Sequence, residues 1–163
     1  MTNDNWETPI ELFKQIEDSM GIFFNLDPCT TEDNPLGTIY YFTPEHDGLT
    51  QSWDTGEPTY AFMNPPYSRE EIPKWVEKAR TEVDYYDNDI MVVGLLPLRT
   101  AKWFKRSILP NAKIIRHLNH WKYEEPDQCL IYFLPKRIKF IDPETGIQEK
   151  NSPSWDSFLA IWI

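Results

Sequence analysis

Tyr60-Ala61-Phe62-Met63-Asn64-Pro65-Pro66-Tyr67-Ser68 is an apolar run followed at once by an amide, two prolines and a phenol. The run has the length and composition of a strand, and the prolines end it because neither has an N–H to donate to a ladder. The four residues after it are read as an active-site loop.

Those residue types share one chemical use. An exocyclic amine on an aromatic base is a poor nucleophile, since its lone pair is delocalised into the ring, and it needs acceptors for its two N–H bonds. The Asn64 side-chain oxygen and a backbone carbonyl, most simply that of Pro65, supply them, while the prolines fix φ and hold the carbonyl in place. Tyr67 offers a flat face on which a base can stack. No acid, nucleophile or metal is needed if the electrophile is already activated, as the methyl of a sulfonium is. The loop therefore suits methyl transfer from S-adenosyl-L-methionine, against the plainer reading of Pro-Pro as an exit turn.

Asn64-Pro65-Pro66-Tyr67 resembles motif IV of the amino-methyltransferases, whose usual form is Asp/Asn/Ser-Pro-Pro-Tyr/Phe. The wider pattern resembles the small, phage-type DNA adenine-N6 methyltransferases, the Dam-like family. Trp6-x-Thr8-Pro9 comes first, then Leu26-Asp27-Pro28, then Asp47-Gly48-Leu49 with Trp53. After the motif come Leu96-Pro97-x-Arg99-Thr100, Trp103-Phe104, and Ser152-Pro153 leading to a terminal apolar strand. The resemblance implies that Asn64, Pro65, Pro66 and Tyr67 are catalytic. It further implies that Trp6, Thr8, Pro9, Asp27, Pro28, Asp47 and Asn64 face the cofactor.

A chain of 163 residues is expected to be one domain, residues 1–163, with room for a real core. No apolar run approaches the ~20 residues of a membrane span, so a chain acting in the cytoplasm, the host's if phage-encoded, is expected. Cys29 and Cys129 cannot make a disulfide framework, and reduced thiols are the default. The net charge of −10 is unevenly placed. Residues 1–60 carry −11, 61–98 carry −3, 99–139 carry +7 and 140–163 carry −3, and 90–123 contain no acidic residue. Any phosphate-facing surface belongs to 99–139.

Along the chain, Thr8-Pro9-Ile10-Glu11 reads as a capping box opening a helix that stops at Gly21. A helix start accounts for Thr8 and Pro9; free N–H groups there also suit the cofactor's carboxylate, so both readings stand. Trp6 is as well explained by packing as by a cofactor contact. Residues 22–26 read as the first buried strand, and Asp27 is either a turn former before Pro28 or a cofactor ligand. No glycine lies between Gly21 and Gly37, so the usual Gly-rich cofactor turn is absent. Residues 39–42 form a second strand; Asp47 follows, either as an Asp-Gly turn or as a ligand for ribose hydroxyls or the cofactor's adenine amine.

Ser68 opens a helix from about residue 69 to 86 with Ile72, Trp75, Val76, Ala79 and Val83 inward. Residues 90–96 form a fully apolar central strand. Arg99 beyond it is read as touching a phosphate or the base, against a helix cap or a surface ion pair. Residues 100–109 form a short helix with Lys102, Lys105 and Arg106 outward. A strand over 113–118 carries Arg116, followed by a basic, aromatic loop with Trp121 and Lys122. Strands at 129–134 and 137–141 form a pair, with Arg137 on the second, and residues 158–163 form the closing strand. Tyr67, Ser68, Arg99, Lys102, Lys105, Arg106, Arg116, Trp121, Lys122 and Arg137 are thus the candidate nucleic-acid contacts. His117, His120 and Cys129 are too loosely spaced to argue for zinc, and no metal is expected.

The alternation of strands and helices predicts an α/β fold: a mostly parallel sheet with antiparallel strands at one edge. The resemblance makes this a trimmed Rossmann-like methyltransferase fold. Its implied activity is methylation of the adenine N6 amine in duplex or single-stranded DNA; a homodimer is one arrangement open to so small an enzyme. Two other readings stay open: an amino-methyltransferase acting on RNA or a protein glutamine, and a non-enzymatic acidic domain that binds proteins or mimics DNA.

Overall fold

The computed structural model describes residues 5–85, 89–99, 101–123, 129–151 and 153–163. Thr100 and Ser152 fall outside the described residues, as do the side chains of Trp121 and Lys122.

Helix α1 spans Ile10–Met20 and ends at Gly21, whose φ of 66° is the left-handed value that closes a helix at little cost when no Cβ is present. The Gly21 and Ile22 amides donate back to the Glu17 carbonyl, and the Phe24 amide donates to the buried Glu17 carboxylate at 2.9 Å. Two of the amides at 22–24 therefore serve the helix end, and strand β1 is only Leu26–Asp27. The expected strand over 22–26 is corrected accordingly, and Phe23 is 81% exposed. Strand β2, Tyr40–Tyr41, runs parallel to β1. Strand β3, Thr59–Met63, runs parallel to β1 and to β4, Ile90–Pro97, every residue of which is buried.

Helix α2, Glu71–Tyr85, lies between β3 and β4 in sequence and packs over β4. It buries the five apolar residues that its periodicity selects, together with Glu82. Its first turn is capped by Ser68, whose Oγ accepts the Glu71 amide at 3.0 Å. The segment expected as a helix over 100–109 is instead a π-helical turn, Phe104–Ile108, running into a 3-10 turn, Leu109–Asn111, that contains Pro110. Strand β5 is Ala112–Ile114; the expected basic loop is a 3-10 helix, Leu118–Tyr123; strands β6, Cys129–Phe133, and β7, Ser157–Trp162, complete the chain.

These strands form one seven-stranded sheet in the order β2-β1-β3-β4-β7-β6-β5. All pairings are parallel except those of β7, which lies antiparallel between β4 and β6. Residues 137–141 do not pair with β6, contrary to the expected strand pair. Both edges of β6 are taken by β5 and β7, so that segment is left with isolated bridges from Ile141 to Glu7 and Gln148. Phe13 of α1 meets Phe62 of β3 edge-on at 5.3 Å. Among the described residues no helix is long and apolar enough to cross a membrane.

Candidate active site

The carboxyl ends of parallel strands β1, β2 and β3 open toward one cavity of about 360 Å³. This is where an open α/β sheet presents its ligand site. Trp6, Thr8, Asp27, Pro28, Asp47, Asn64 and Pro66 all line it. Seven positions that the sequence scatters over residues 6–66 are thus brought to one wall.

Asn64 lines it immediately after β3. The side-chain Nδ2 donates to the Trp6 carbonyl at 2.6 Å, which fixes which way the amide faces. Its other end, Oδ1, is buried with no partner. A buried acceptor left unmade is costly, so this oxygen is free to take an N–H donor. Thr8 Oγ1 is in the same condition. The expected capping box is corrected here: Pro9, not Thr8, occupies the cap position of α1, no side chain caps the helix, and Thr8 turns its unsatisfied hydroxyl to a cavity-lining position. Pro9 itself does not line the cavity.

Asp27 forms the expected turn and also stands on the cavity wall. Its Oδ1 accepts the Cys29 amide at 3.1 Å, as a turn-forming Asp does, and the residue lines the cavity. Burial pushes its carboxyl up to about 7, against the opposing hydrogen bonds of the Cys29 amide and the Thr30 hydroxyl. Glu7, also on the wall, is raised by burial and by the charges of Asp33 and Asp142. Burial raises the Cys29 thiol well above its ordinary value, which makes it a poor nucleophile.

Asp47 adopts φ 53° and accepts the Leu49 amide on Oδ1 at 3.3 Å, so the Asp-Gly turn is real and the carboxylate is exposed at the cavity rim. Gly48 is required by close approach: a Cβ there would stand 2.0 Å from the Pro28 carbonyl oxygen. The Gly48 carbonyl accepts the Trp53 indole N–H at 2.9 Å; Trp53 is fully buried against Trp75, and its amide donates to Glu82, which also pairs with Lys78. This buried anchoring of the Asp47 loop onto α2 carries no local sequence signal beyond Trp53 itself.

The rest of the motif is arranged differently from expectation. Pro65 is buried and does not line the cavity, whereas Pro66 does. Tyr67 is only 2% exposed. Its hydroxyl donates to the Leu95 carbonyl at 3.0 Å, and its ring lies edge-on to Phe140 and Trp155. Burial and the nearby Cys29 raise its phenol far above the ordinary value, opposed by Arg99. The open stacking face expected for Tyr67 is therefore corrected: the ring packs inward. Among the described residues Arg99 makes neither a cap nor an ion pair, and its Nη1 donates to the Tyr67 carbonyl at 3.0 Å. Ser68 uses its hydroxyl as the α2 cap. Phe140 and Trp155 belong to this neighbourhood without any motif having marked them.

Lys102, Lys105, Arg106 and Arg116 are exposed, and Arg137 is exposed in an ion pair with Asp156. Trp103 and Phe104 are buried beneath the first three of these, as the amphipathic spacing predicts. Among the described residues no group of three His, Cys, Asp or Glu side chains stands close enough to hold a metal ion.

A family model described as DNA N-6-adenine-methyltransferase (Dam) matches residues 1–162. The chain is also 30% identical over 147 residues to a protein of Escherichia phage T1 named DNA N-6-adenine-methyltransferase. That alignment covers 88% of this chain and 56% of the phage protein, so the chain spans about half the length of that relative.

Proposed function

The chain belongs to the Dam family of DNA N-6-adenine-methyltransferases, and on that premise we propose that it transfers a methyl group from S-adenosyl-L-methionine to the N6 amine of adenine in DNA. The observation that carries the reading is Asn64 Oδ1, a buried acceptor without a partner on the wall of the cavity, with its amide orientation set by Trp6. An amine donor is what that oxygen lacks.

The cavity suits the cofactor on its own chemistry. It combines the carboxyl groups of Asp27 and Asp47, which favour a cationic ligand, with apolar walls from Trp6, Pro28, Leu36 and Leu49 and the unsatisfied Thr8 hydroxyl. Trp6, Thr8, Asp27, Pro28 and Asp47 would hold it, with Pro9 setting the start of α1 beside them. When bound, S-adenosyl-L-methionine supplies a methyl group on a sulfonium, an electrophile that needs no further activation.

The residues of the chain then act on the adenine. Asn64 Oδ1 accepts one N–H bond of the amine, the second is assigned to the Pro65 backbone carbonyl although Pro65 itself does not line the cavity, and the two turn the amine lone pair away from the ring. Pro66 shapes the cavity wall and Tyr67 supports the loop from beneath. The target adenine is taken from single-stranded DNA or flipped from a duplex, since its amine is otherwise paired. The exposed cations Lys102, Lys105, Arg106, Arg116 and Arg137 face the phosphates, with Trp121 and Lys122 in the same segment.

Family membership favours adenine in DNA over RNA or a protein glutamine, and an enzyme over an acidic DNA mimic. Transfer of labelled methyl to duplex DNA, single-stranded DNA and RNA, with nucleoside analysis of the products, tests the reading. N6-methyladenine in DNA is expected, and transfer confined to RNA or protein would overturn it.

A further inference from the structure

The loop at residues 64–67 cannot hold itself. Pro65 and Pro66 have no N–H, so half of its residues donate no backbone hydrogen bond, and its position has to be set from outside. Its first residue is tied by the Trp6 carbonyl through Asn64 Nδ2, and its last through the Tyr67 hydroxyl to the Leu95 carbonyl. A further tie is Arg99, whose Nη1 donates to the Tyr67 carbonyl while its guanidinium lies over the Trp155 ring, 5.2 Å from the centroid. Trp155 in turn meets the Tyr67 ring at 70° with 6.5 Å between centroids. Its own position is set next door, where the Leu98 amide donates to the Asp156 carbonyl at 2.8 Å.

We propose that Arg99 and Trp155 form a latch that positions the Asn64–Tyr67 loop for reaction, and that Arg99 acts through the loop carbonyl and does not contact DNA phosphate. The inference rests on the methyltransferase reading above for its kinetic arm only. The triangle closes because a planar guanidinium can donate in its plane and stack through its face at once. A lysine ammonium is a point charge and cannot do both. Arg99 comes from the exit of β4 and Trp155 from the approach to β7, adjacent strands, so the latch ties the loop after β3 to the two strands beyond it. Displacement of a reacting group by about 1 Å costs about a hundredfold in rate.

The test compares Arg99→Lys, Arg99→Ala, Trp155→Phe and Trp155→Ala with the unaltered protein. In steady-state methylation, Arg99→Lys is expected to lower kcat by about ten- to a hundredfold. KM for DNA, its salt dependence and the affinity for S-adenosyl-L-methionine stay within about twofold. Trp155→Phe, which keeps a ring under the guanidinium, recovers most of the rate that Trp155→Ala loses. A phosphate contact would behave otherwise: the slope of log KM against log salt would fall by about one in Arg99→Ala with kcat unchanged, and that result overturns the proposal.

A second readout needs no substrate. Tetranitromethane nitration mapped by mass spectrometry should leave Tyr67 protected in the unaltered protein and in Trp155→Phe, and modify it in Arg99→Ala and Trp155→Ala. Protection of Tyr67 in Arg99→Ala and Trp155→Ala as well overturns the latch. If the unaltered protein transfers no methyl to DNA, the functional reading fails, and the nitration pattern alone decides the latch.

Discussion

Asn64 uses the two ends of one amide differently: the nitrogen is tied to the Trp6 carbonyl and the oxygen is held buried without a partner. Such an arrangement preorganises an acceptor, and preorganisation is where a polar group contributes most to a reaction. Asn64→Ala is expected to abolish methyl transfer while leaving cofactor affinity within about threefold, since the other cavity walls stay in place. Calorimetric titration beside an activity assay checks this, and a large loss of cofactor binding would move Asn64 out of the catalytic role. Asp27 makes a pH-dependent prediction. Its carboxyl titrates near 7 in the folded chain and near ~3.9 when unfolded. The folded chain therefore keeps a proton that the unfolded chain releases. Asp27 adds stability that is complete below about pH 4 and is lost as pH rises through about 7. Denaturant midpoints measured from pH 4 to 8 should fall across that window and flatten in Asp27→Asn. A cationic ligand prefers the ionised carboxylate, so affinity for the cofactor should rise through the same interval.

At the scale of elements, the Asp47 loop depends on close backbone approach. Gly48 lies so near Pro28 that a side chain has nowhere to go, because the obstacle is a backbone carbonyl and not a movable side-chain tip. Gly48→Ala is expected to displace Asp47 and weaken S-adenosyl-L-methionine binding at least tenfold; unchanged affinity would show that Asp47 takes no part in holding the cofactor. Helix α2 is coupled to this loop as well. The buried Glu82 carboxylate meets the Trp53 amide and Lys78, and Lys78 also donates to the Gln51 carbonyl at 2.6 Å. One face of α2 therefore packs on the sheet while buried polar groups of the same helix hold the loop that borders the cavity.

At the scale of the whole molecule, segregation of charge resolves the apparent conflict between a net charge of −10 and the proposed nucleic-acid substrate. The acidic first third supplies three of the four cavity carboxylates, Glu7, Asp27 and Asp47, and ten of the sixteen basic residues fall in 99–139 beyond β4. Replacing Lys102, Lys105 and Arg106 together by Ala should lower DNA affinity and reduce the slope of log K against log salt by about 0.9 for each phosphate no longer neutralised. Fluorescence anisotropy at several salt concentrations measures this, and an unchanged slope would remove that face from the DNA interface. The antiparallel strand β7 supports the same division, since its insertion beside β4 brings Trp155 beside the motif loop.

Local chemistry determined much of this protein in advance. Apolar runs of strand length marked β3 and β4, the spacing of Ile72, Trp75, Val76, Ala79 and Val83 marked the buried face of α2, and the prolines after Met63 marked where β3 ends. Each is a property of neighbouring residues, so no long-range information was needed. Tertiary structure decided what depends on competition for partners. Two of the amides at residues 22–24 went to Glu17, residues 137–141 found both edges of β6 occupied, and Thr8 gave its cap position to Pro9. Tyr67 and Arg99 show the same limit at the site. Their types suit an exposed platform and a phosphate contact, yet Tyr67 is buried against Phe140 and Trp155, and Arg99 turns to the Tyr67 carbonyl and the Trp155 ring. The sequence states what each side chain can do; which partner it meets depends on residues far away along the chain, and only folding brings those together.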